Sequence, residues 1–258
     1  MENKIPKVIH YCWFGGNPLP PLAEKCIASW KKFLPDYEIK RWDESNFDVN
    51  IIPYTAQAYE EKKYAFVSDY ARFWILYHYG GVYFDTDVEV IKPIDDIIED
   101  GPFMGCENQS MTGEASQKLN VNPGLGLATI PKTPIFKELL DIYINLQFRK
   151  ADGSLDTTTI VTYTSNFLSN KGLQNIPLTQ TISGIKIYPK DFFCPMEYAT
   201  GILDMTLNTR TIHHYSASWH GNREKIYLLV KRVLGKSFAQ HCSKLEKKIK
   251  RIFRAKGK

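Results

Sequence analysis

Two aspartates, Asp85 and Asp87, stand one residue apart directly after the short apolar run 82–84. Charged side chains that follow a buried strand are costly unless a cation or a polar ligand meets them. Mg²⁺ and Mn²⁺ prefer oxygen ligands and keep positions open for water and substrate, so the pair suits a divalent ion that also contacts phosphate oxygens. An isolated Asp-x-Asp is more often an acidic turn. Here the upstream helix, the glycine pair and the aromatic strand favour a metal site.

The helix is predicted over residues 65–79. Its aromatic side chains recur at helical spacing, at Phe66, Tyr70, Phe73, Trp74 and Tyr77. Gly80 and Gly81 would end it. Asp69 and Arg72 share one face and could be an ordinary intrahelical ion pair. In a mostly aromatic helix a buried charged pair is better explained by ligand contacts, with Asp69 at a ribose hydroxyl and Arg72 at phosphate or sugar oxygens.

Aromatic, imidazole and hydroxyl side chains mark two further strand ends. Trp13 could stack on a flat base, although a tryptophan at a strand end is more often part of the core. His213 and His214 would point to opposite faces of a strand, so one of them could complete a metal shell as a neutral imidazole, and adjacent histidines are commonly incidental. Ser218 and Trp219 could hold a diphosphate or simply anchor the C-terminal segment.

The order of predicted elements gives an α/β fold. Residues 7–14 read as a strand, 22–33 as a helix and 37–42 as a second strand, which is a βαβ start. A continuous apolar strand is typical of a parallel sheet buried on both faces. Ligands of such sheets bind beyond the carboxyl ends of the strands, where Trp13 and the aspartates would lie. Further strands are predicted at 103–106, 122–128, 185–188 and 211–215, and helices at 134–146 and within 153–169.

The composition is that of a folded protein. The chain has 258 residues, 43% of them hydrophobic and 13% aromatic, which suits one substantial α/β domain or two small ones. There is no run of about 18 apolar residues and no signal-peptide layout, so a cytoplasmic location is expected. The five cysteines are dispersed without a CxxC pair, which indicates reduced thiols and neither a disulfide framework nor a zinc site.

The C-terminal residues 223–258 differ in charge from the rest. They hold 13 Lys or Arg against two Glu, a net +11, whereas the preceding 222 residues carry −6. Apolar residues recur every three or four positions among the basic ones, at Phe238, Cys242, Leu245, Ile249, Ile252 and Phe253. This pattern predicts a basic amphipathic helix on an anionic membrane surface. A solubilising helix docked on the body is the alternative; no nucleic-acid-binding module is recognised in the body.

Three blocks of this sequence resemble glycosyltransferase family 32. They are IPKVIHYCWFGG near the start, AFVSDYARFWILYHYGGVYFDTDVEV in the middle and HHYSASW near the end. The family comprises DXD-containing sugar transferases, and the same blocks are similar to the catalytic domain of the large clostridial glucosylating toxins. The resemblance implies a GT-A fold, Rossmann-like with a mostly parallel central sheet, over residues 1–222, followed by the helical extension 223–258. It also implies sugar transfer with retention of anomeric configuration.

The resemblance assigns the nucleotide contacts residue by residue. Trp13 would stack on a uracil base, and Tyr83 would line the nucleotide pocket. Asp69 would hold the ribose and Arg72 the sugar-phosphate.

The remaining assignments concern the metal and the donor sugar. Asp85 would touch ribose or the bound sugar, and Asp87 would bind the metal, Mn²⁺ or Mg²⁺, directly. Ser218 and Trp219 would contact the diphosphate as a C-terminal lid. Asn122 sits where the family tends to place a polar residue near the donor sugar.

This chain departs from the toxins at two points. The toxins have an acidic metal ligand near the last motif, where this chain offers His213 or His214; His213 is preferred without an argument that excludes its neighbour. The chain also lacks the toxins' long insertions, so a protein acceptor is not expected.

The sequence therefore predicts a glycosyltransferase that moves a hexose from a UDP-sugar to a glycan, in capsular or other cell-surface polysaccharide synthesis. The acceptor is expected to be lipid-linked, and the enzyme peripheral on the cytoplasmic face of the membrane. Asp85, Asp87 and Arg72 are the expected catalytic residues. Two alternatives stay open, a GDP-mannose-dependent mannosyltransferase and a non-catalytic module that binds nucleotide sugars.

Overall fold

The computed structural model describes residues 4–108, 119–198 and 200–216. The strands are β1 (Val8–Cys12), β2 (Glu38–Trp42), β3 (Gly81–Tyr83), β4 (Val88–Val90), β5 (Phe103–Cys106), β6 (Val121–Thr129), β7 (Gln180–Ile182), β8 (Ile185–Tyr188) and β9 (Thr211–His213). The helices are α1 (Pro21–Phe33), α2 (Pro53–Glu60), α3 (Tyr64–Tyr79), α4 (Asp95–Glu99), α5 (Pro134–Ile144), α6 (Ile160–Asn170) and α7 (Lys190–Phe193).

Seven strands form one sheet in the order β2-β1-β3-β6-β5-β8-β7. Strand β1 pairs parallel with β2 and β3, β5 pairs parallel with β8, and β6 and β7 run antiparallel to their neighbours. Five of the seven strands thus share one direction, and the predicted α/β fold with a mostly parallel central sheet is confirmed. The carboxyl ends of β1, β3 and β5 meet at one edge, together with the start of β6.

The chain divides into two compact units. The first contains residues up to Pro195 and the stretch Met205–His214. Of the second, the structure describes residues 196–198, 200–204 and 215–216, in which Met196 and Leu203 form an isolated antiparallel bridge. The predicted boundary between 222 and 223 and the predicted C-terminal helix lie outside the described residues, so both stay predictions.

The βαβ start is present as predicted. Helix α1 begins at Pro21, whose fixed φ suits the first helical position and whose missing N–H costs the helix nothing there. Between β2 and α3 the chain forms the short helix α2, which also begins at a proline, Pro53. Strand β7, three residues long, was not predicted, because three residues are too few to show a strand period.

Helix α3 lies in the core and ends at Gly80, as predicted. Nine of its sixteen residues are buried, including the charged residues Asp69 and Arg72. Gly80 and Gly81 both have positive φ, and a Cβ on Gly81 would lie 2.7 Å from the Val8 carbonyl oxygen and 2.9 Å from His10 Nε2. Only glycine allows the helix to turn so closely into β3.

His10 in β1 is a buried, neutral histidine. Its Nε2 lies 3.0 Å from the Gly80 carbonyl oxygen, and its Nδ1 accepts a hydrogen bond of 3.0 Å from Trp42 Nε1. The Trp42 indole can only donate, so Nδ1 is the acceptor and Nε2 carries the proton. Burial lowers the pKa of His10 to about 4.

This histidine should make the protein less stable in mild acid. Between pH 6.5 and 4 the unfolded chain binds a proton at His10 that the folded chain excludes, so its stability contribution falls as the pH falls. We expect the free energy of unfolding to drop by about 2 kcal/mol from pH 7 to pH 5 through this residue alone. Urea unfolding of the wild type and of His10→Gln at pH 7 and pH 5 measures this drop in the free energy of unfolding, which should be smaller in the variant. An equal drop in both proteins would contradict the assignment.

None of the described helices is long and apolar enough to cross a membrane.

Candidate active site

The aspartates and a histidine meet beside the carboxyl edge of the sheet. Asp85 and Asp87 follow β3, and the chain continues directly into β4. Strand β4 pairs antiparallel with β9, with Val88 opposite His213, so this two-stranded ribbon brings His213 next to Asp87. One ligand atom from each of Asp85, Asp87 and His213 lies within 4.8 Å of the others. The sequence predicted a metal site at the aspartate pair, with Asp87 as the direct ligand and His213 or His214 beside it, and the resemblance assigned Asp85 to ribose or the bound sugar.

In this cluster His213 Nε2 lies 3.2 Å from Asp87 Oδ1. Burial alone would lower the pKa of His213, but the charge and hydrogen bond of the Asp87 carboxylate raise it well above its usual value. The positively charged form of His213 is thus favoured beside the Asp87 carboxylate. A divalent ion in the same place would supply that charge and would require the neutral imidazole as ligand.

His214 does not join the cluster. Its Nε2 lies 2.7 Å from Glu89 Oε2, and Lys25 Nζ lies 3.0 Å from the same oxygen. Side chains of neighbouring residues in an extended chain point to opposite sides, so the His213 and His214 imidazoles cannot both reach the Asp87 carboxylate. The placement of His214 in the predicted metal shell is therefore not supported by this geometry.

Arg72 bridges the two acidic groups that flank it. Its Nη2 lies 2.9 Å from Asp69 Oδ1, and its Nη1 lies 3.2 Å from Asp85 Oδ1. Its Nε donates to the Ser68 carbonyl oxygen at 3.1 Å, and only 4% of its side chain is exposed. Asp69 and Arg72 are therefore an intrahelical ion pair, as one alternative proposed, and Arg72 also reaches the aspartate of the metal cluster.

Asp69 is held deep beneath the site. Burial raises the pKa of its carboxyl group, while the Arg72 guanidinium and a hydrogen bond from the backbone of Ile160 oppose the shift. Ile160 is the first residue of α6, so the Asp69 carboxylate faces the positive end of a helix. In this structure Asp69 fixes Arg72, and through it Asp85.

Tyr83 and Trp13 lie at the ends of adjacent parallel strands. Tyr83 donates its hydroxyl to Asp85 Oδ1 at 3.2 Å, and the Arg72 guanidinium carbon lies 4.8 Å from the centre of its ring. Trp13 follows β1, is half-buried, and donates its indole N–H to the Asn17 carbonyl oxygen at 2.7 Å. Trp13 is thus not enclosed in the core, which was the alternative to base stacking.

A bulge in β6 supports Asp85 from the other side. The pairing of β5 with β6 shifts between Met104, opposite Leu127, and Gly105, opposite Asn122, so residues 123–126 bulge out. Within the bulge the Gly124 carbonyl oxygen accepts a hydrogen bond from Asp85 N at 2.9 Å. Bulges often redirect the chain next to a site in this way.

Gly124 is the residue that sequence reasoning missed. A Cβ at this position would lie 1.9 Å from Asp85 Oδ2, which no side chain tolerates. Asn122, predicted to contact the donor sugar, accepts a hydrogen bond from Gly124 N at 2.8 Å and donates to Glu107 at 2.9 Å. The run Asn122-Pro123-Gly124 was the available signal, because glycine within a strand often marks a bulge or a close approach.

Ser218 and Trp219 lie outside the described residues, so their predicted diphosphate contacts stay predictions.

One segment of the chain, which carries most of this site, matches a known family. Residues 20–104 match the family model described as a glycosyltransferase sugar-binding region containing a DXD motif. The stretch contains Asp69, Arg72, Tyr83 and both aspartates of the motif. The predicted resemblance to DXD-containing glycosyltransferases, and with it the transferase class, is confirmed for this region.

Two curated relatives each match part of the chain. The chain is 30% identical over 113 residues to inositol phosphoceramide mannosyltransferase 1 of Schizosaccharomyces pombe, covering 40% of this chain and 34% of that protein. It is 36% identical over 101 residues to inositol phosphoceramide mannosyltransferase 3 of the same organism, covering 36% and 27%. The matched segments thus span about a third of the first relative and about a quarter of the second.

Solved structures with a similar arrangement include two glycosyltransferases. PaToxG glycosyltransferase is 20% identical, covers 65% of this chain and 72% of its own, and has a TM-score of 0.45. The galactosyltransferase LgtC, solved with donor and acceptor sugar analogues, is 13% identical, covers 83% and 90%, and has a TM-score of 0.46.

Proposed function

We propose that this protein is a GT-A glycosyltransferase that uses a divalent metal to transfer a hexose from a UDP-sugar to a glycan acceptor. The observation that carries the proposal is the meeting of Asp85, Asp87 and His213 at the edge of the sheet. These residues come from two distant parts of the chain and lie within the reach of one ion, next to a DXD-type sugar-binding region.

The donor set fits the ion that the family implies. Two carboxylates and an imidazole suit Mn²⁺ or Mg²⁺. Ligands at about 2.1 Å from one ion are roughly 3 to 4 Å apart, so small side-chain rotations would bring the three atoms into place. A bound ion would neutralise charge on the leaving diphosphate.

Arg72 would serve this chemistry by holding Asp85 in one orientation. Its contacts to Asp69 and Asp85 fix both acidic groups without water between them. A preorganised positive group beside a developing phosphate charge stabilises the transition state, because no reorganisation is needed during the reaction. Asp69 would complete the arrangement by keeping Arg72 in place, whereas its predicted contact to a ribose would need the carboxylate to face away from the core.

Trp13 and Tyr83 would form the nucleotide side of the pocket. They lie at the carboxyl ends of the neighbouring parallel strands β1 and β3, where ligands of α/β sheets bind. Trp13 offers a partly exposed aromatic face for the uracil base. Asn122, at the start of β6, lies on the same edge and would face the donor sugar. Retention is proposed without a protein nucleophile.

Mannose transfer from GDP-mannose is the second candidate. The two curated relatives are named as mannosyltransferases, which favours mannose as the transferred sugar. The metal and phosphate contacts would be the same for both nucleotides, so the choice rests on the base and the sugar.

One experiment separates these functions. The protein is incubated with Mn²⁺ and a panel of UDP- and GDP-sugars, and released nucleotide is measured with and without EDTA. Turnover of a UDP-sugar supports the first proposal and turnover of GDP-mannose the second. A protein that binds a nucleotide sugar but turns over none, with or without a glycan acceptor, would be the non-catalytic module.

We also propose that the enzyme works at the cytoplasmic face of the membrane on a lipid-linked glycan of the cell surface. The charge of +11 over residues 223–258 supports an anionic membrane as the partner. Deleting residues 238–258 is expected to abolish sedimentation with anionic vesicles and to leave donor hydrolysis unchanged. A truncated protein that has lost its cooperative thermal transition would show that the segment belongs to the folded body.

A further inference from the structure

Glu107 follows β5 at the edge of the sheet that carries the site. Its Oε2 accepts a hydrogen bond of 2.9 Å from Asn122 Nδ2, and its Oε1 lies 3.4 Å from Asn120 Nδ2. Its own backbone N–H donates to the Asn120 carbonyl oxygen at 2.9 Å. The carboxylate is therefore directed at the start of β6, and the proposed reaction gives it no role.

The contacts continue from Asn122 to the metal cluster in two steps. Asn122 Oδ1 accepts from Gly124 N at 2.8 Å, and the Gly124 carbonyl oxygen accepts from Asp85 N at 2.9 Å. Gly124 also packs so closely on Asp85 that a Cβ would overlap its Oδ2. Glu107, Asn122, Gly124 and Asp85 thus form one continuous chain of hydrogen bonds.

The hydrogen bond between Glu107 and Asn122 determines which end of the Asn122 amide faces Gly124. An asparagine side chain can present either its oxygen or its NH₂ group to a neighbour. A carboxylate can only accept, so Glu107 selects the NH₂ group of Asn122 and leaves Oδ1 for Gly124 N.

We propose that Glu107 is a positioning residue that holds Asp85 in its place in the metal cluster, acting through Asn122 and Gly124. The inference rests on the proposed metal-dependent function, and Glu107, Asn122 and Gly124 all lie beyond the matched family region. It differs from a direct electrostatic role, in which the negative charge of Glu107 would itself attract the ion.

Two variants test whether Glu107 acts by its position or by its charge. Glu107→Gln loses the charge but keeps an oxygen at the same reach, whereas Glu107→Asp keeps the charge and withdraws it by one methylene. By calorimetry with Mn²⁺ alone we expect Glu107→Gln to bind within about threefold of the wild type. Glu107→Asp and Glu107→Ala should bind about tenfold more weakly, as for the loss of one hydrogen bond, because neither side chain reaches Asn122. Glu138→Ala, which removes an exposed carboxylate paired with Lys171, is the control and should bind like the wild type.

The opposite pattern would overturn the inference. If Glu107→Asp binds like the wild type and Glu107→Gln does not, the charge acts directly. If all Glu107 variants bind like the wild type, Asp85 does not depend on Glu107. Should Glu107→Ala fail to fold, the Gln and Asp pair still decides.

A second readout needs no metal. In crystal structures the Asp85 carboxylate should be displaced in Glu107→Asp and should keep its place in Glu107→Gln; an unmoved Asp85 in both overturns the inference. A wild type that binds no Mn²⁺ would refute the proposed function, and these structures would then decide the positioning role alone.

Discussion

Replacing Asp87 by asparagine is expected to lower Mn²⁺-dependent turnover of the donor by about a thousandfold, the effect of losing a principal source of charge stabilisation. The substitution keeps the volume of the side chain and removes its charge. Asp87 lies 3.2 Å from His213 and is, with Asp85, one of only two carboxylates in the cluster. Without it, the remaining carboxylate and imidazole would hold a divalent ion weakly.

The chain offers a matched control in Glu89→Gln. Glu89 lies two residues further along, in β4, and bonds to His214 as Asp87 bonds to His213. The control thus neutralises a carboxylate that pairs with a histidine in the same ribbon, away from the cluster. We expect it to keep turnover within about twofold, as is usual for changes outside the functional features of a protein.

Calorimetry gives the second measurement for Asp87. Binding of UDP in the presence of Mn²⁺ should weaken strongly in Asp87→Asn, and binding measured with EDTA should be the same in both proteins. If Mn²⁺-dependent UDP affinity is unchanged, the ion is not held by Asp87, and the proposed metal site is wrong.

The pairing of β4 with β9 explains why the sequence alone could not decide whether His213 or His214 lies at the metal site. Alternation in a strand says that His213 and His214 face opposite sides, and it does not say which side faces Asp87. That choice is fixed by the register, in which Val88 lies opposite His213. A strand of three residues shows no register in its own sequence, since its partner is more than a hundred positions away.

The elements with strong local signals were predictable. Strand β1, helix α1, helix α3 and its glycine end all follow from period and turn chemistry, and they place Asp69, Arg72, Asp85 and Asp87 correctly in the chain. The sequence could not show which ion-pair partner each of these charged side chains contacts in the fold. Arg72 shares a helix face with Asp69, a local relation, but its contact to Asp85 depends on how α3 packs behind β3.

The close approach of Gly124 to Asp85 could not be derived from the sequence either, and it leads to the second substitution with a large expected effect on turnover. Gly124→Ala is expected to lower Mn²⁺-dependent turnover by about a hundredfold or more, because displacing a catalytic group by an ångström has effects of this size. The new Cβ would lie 1.9 Å from Asp85 Oδ2 and 3.1 Å from Arg72 Nη1. Either Asp85 rotates out of the cluster or the bulge moves and takes the Asp85 backbone with it.

Gly126→Ala separates this effect from the general cost of an added methyl group. Gly126 lies two residues further along β6, and its new Cβ would meet the Phe193 ring at 3.0 Å and the Phe84 ring at 3.3 Å. Both substitutions overpack the core, so each should lower the free energy of unfolding by about 1 to 3 kcal/mol. Only Gly124→Ala should also lose Mn²⁺ affinity and turnover. Equal loss of turnover in both variants, measured where both remain folded, would show that the bulge supports the sheet and has no special relation to Asp85.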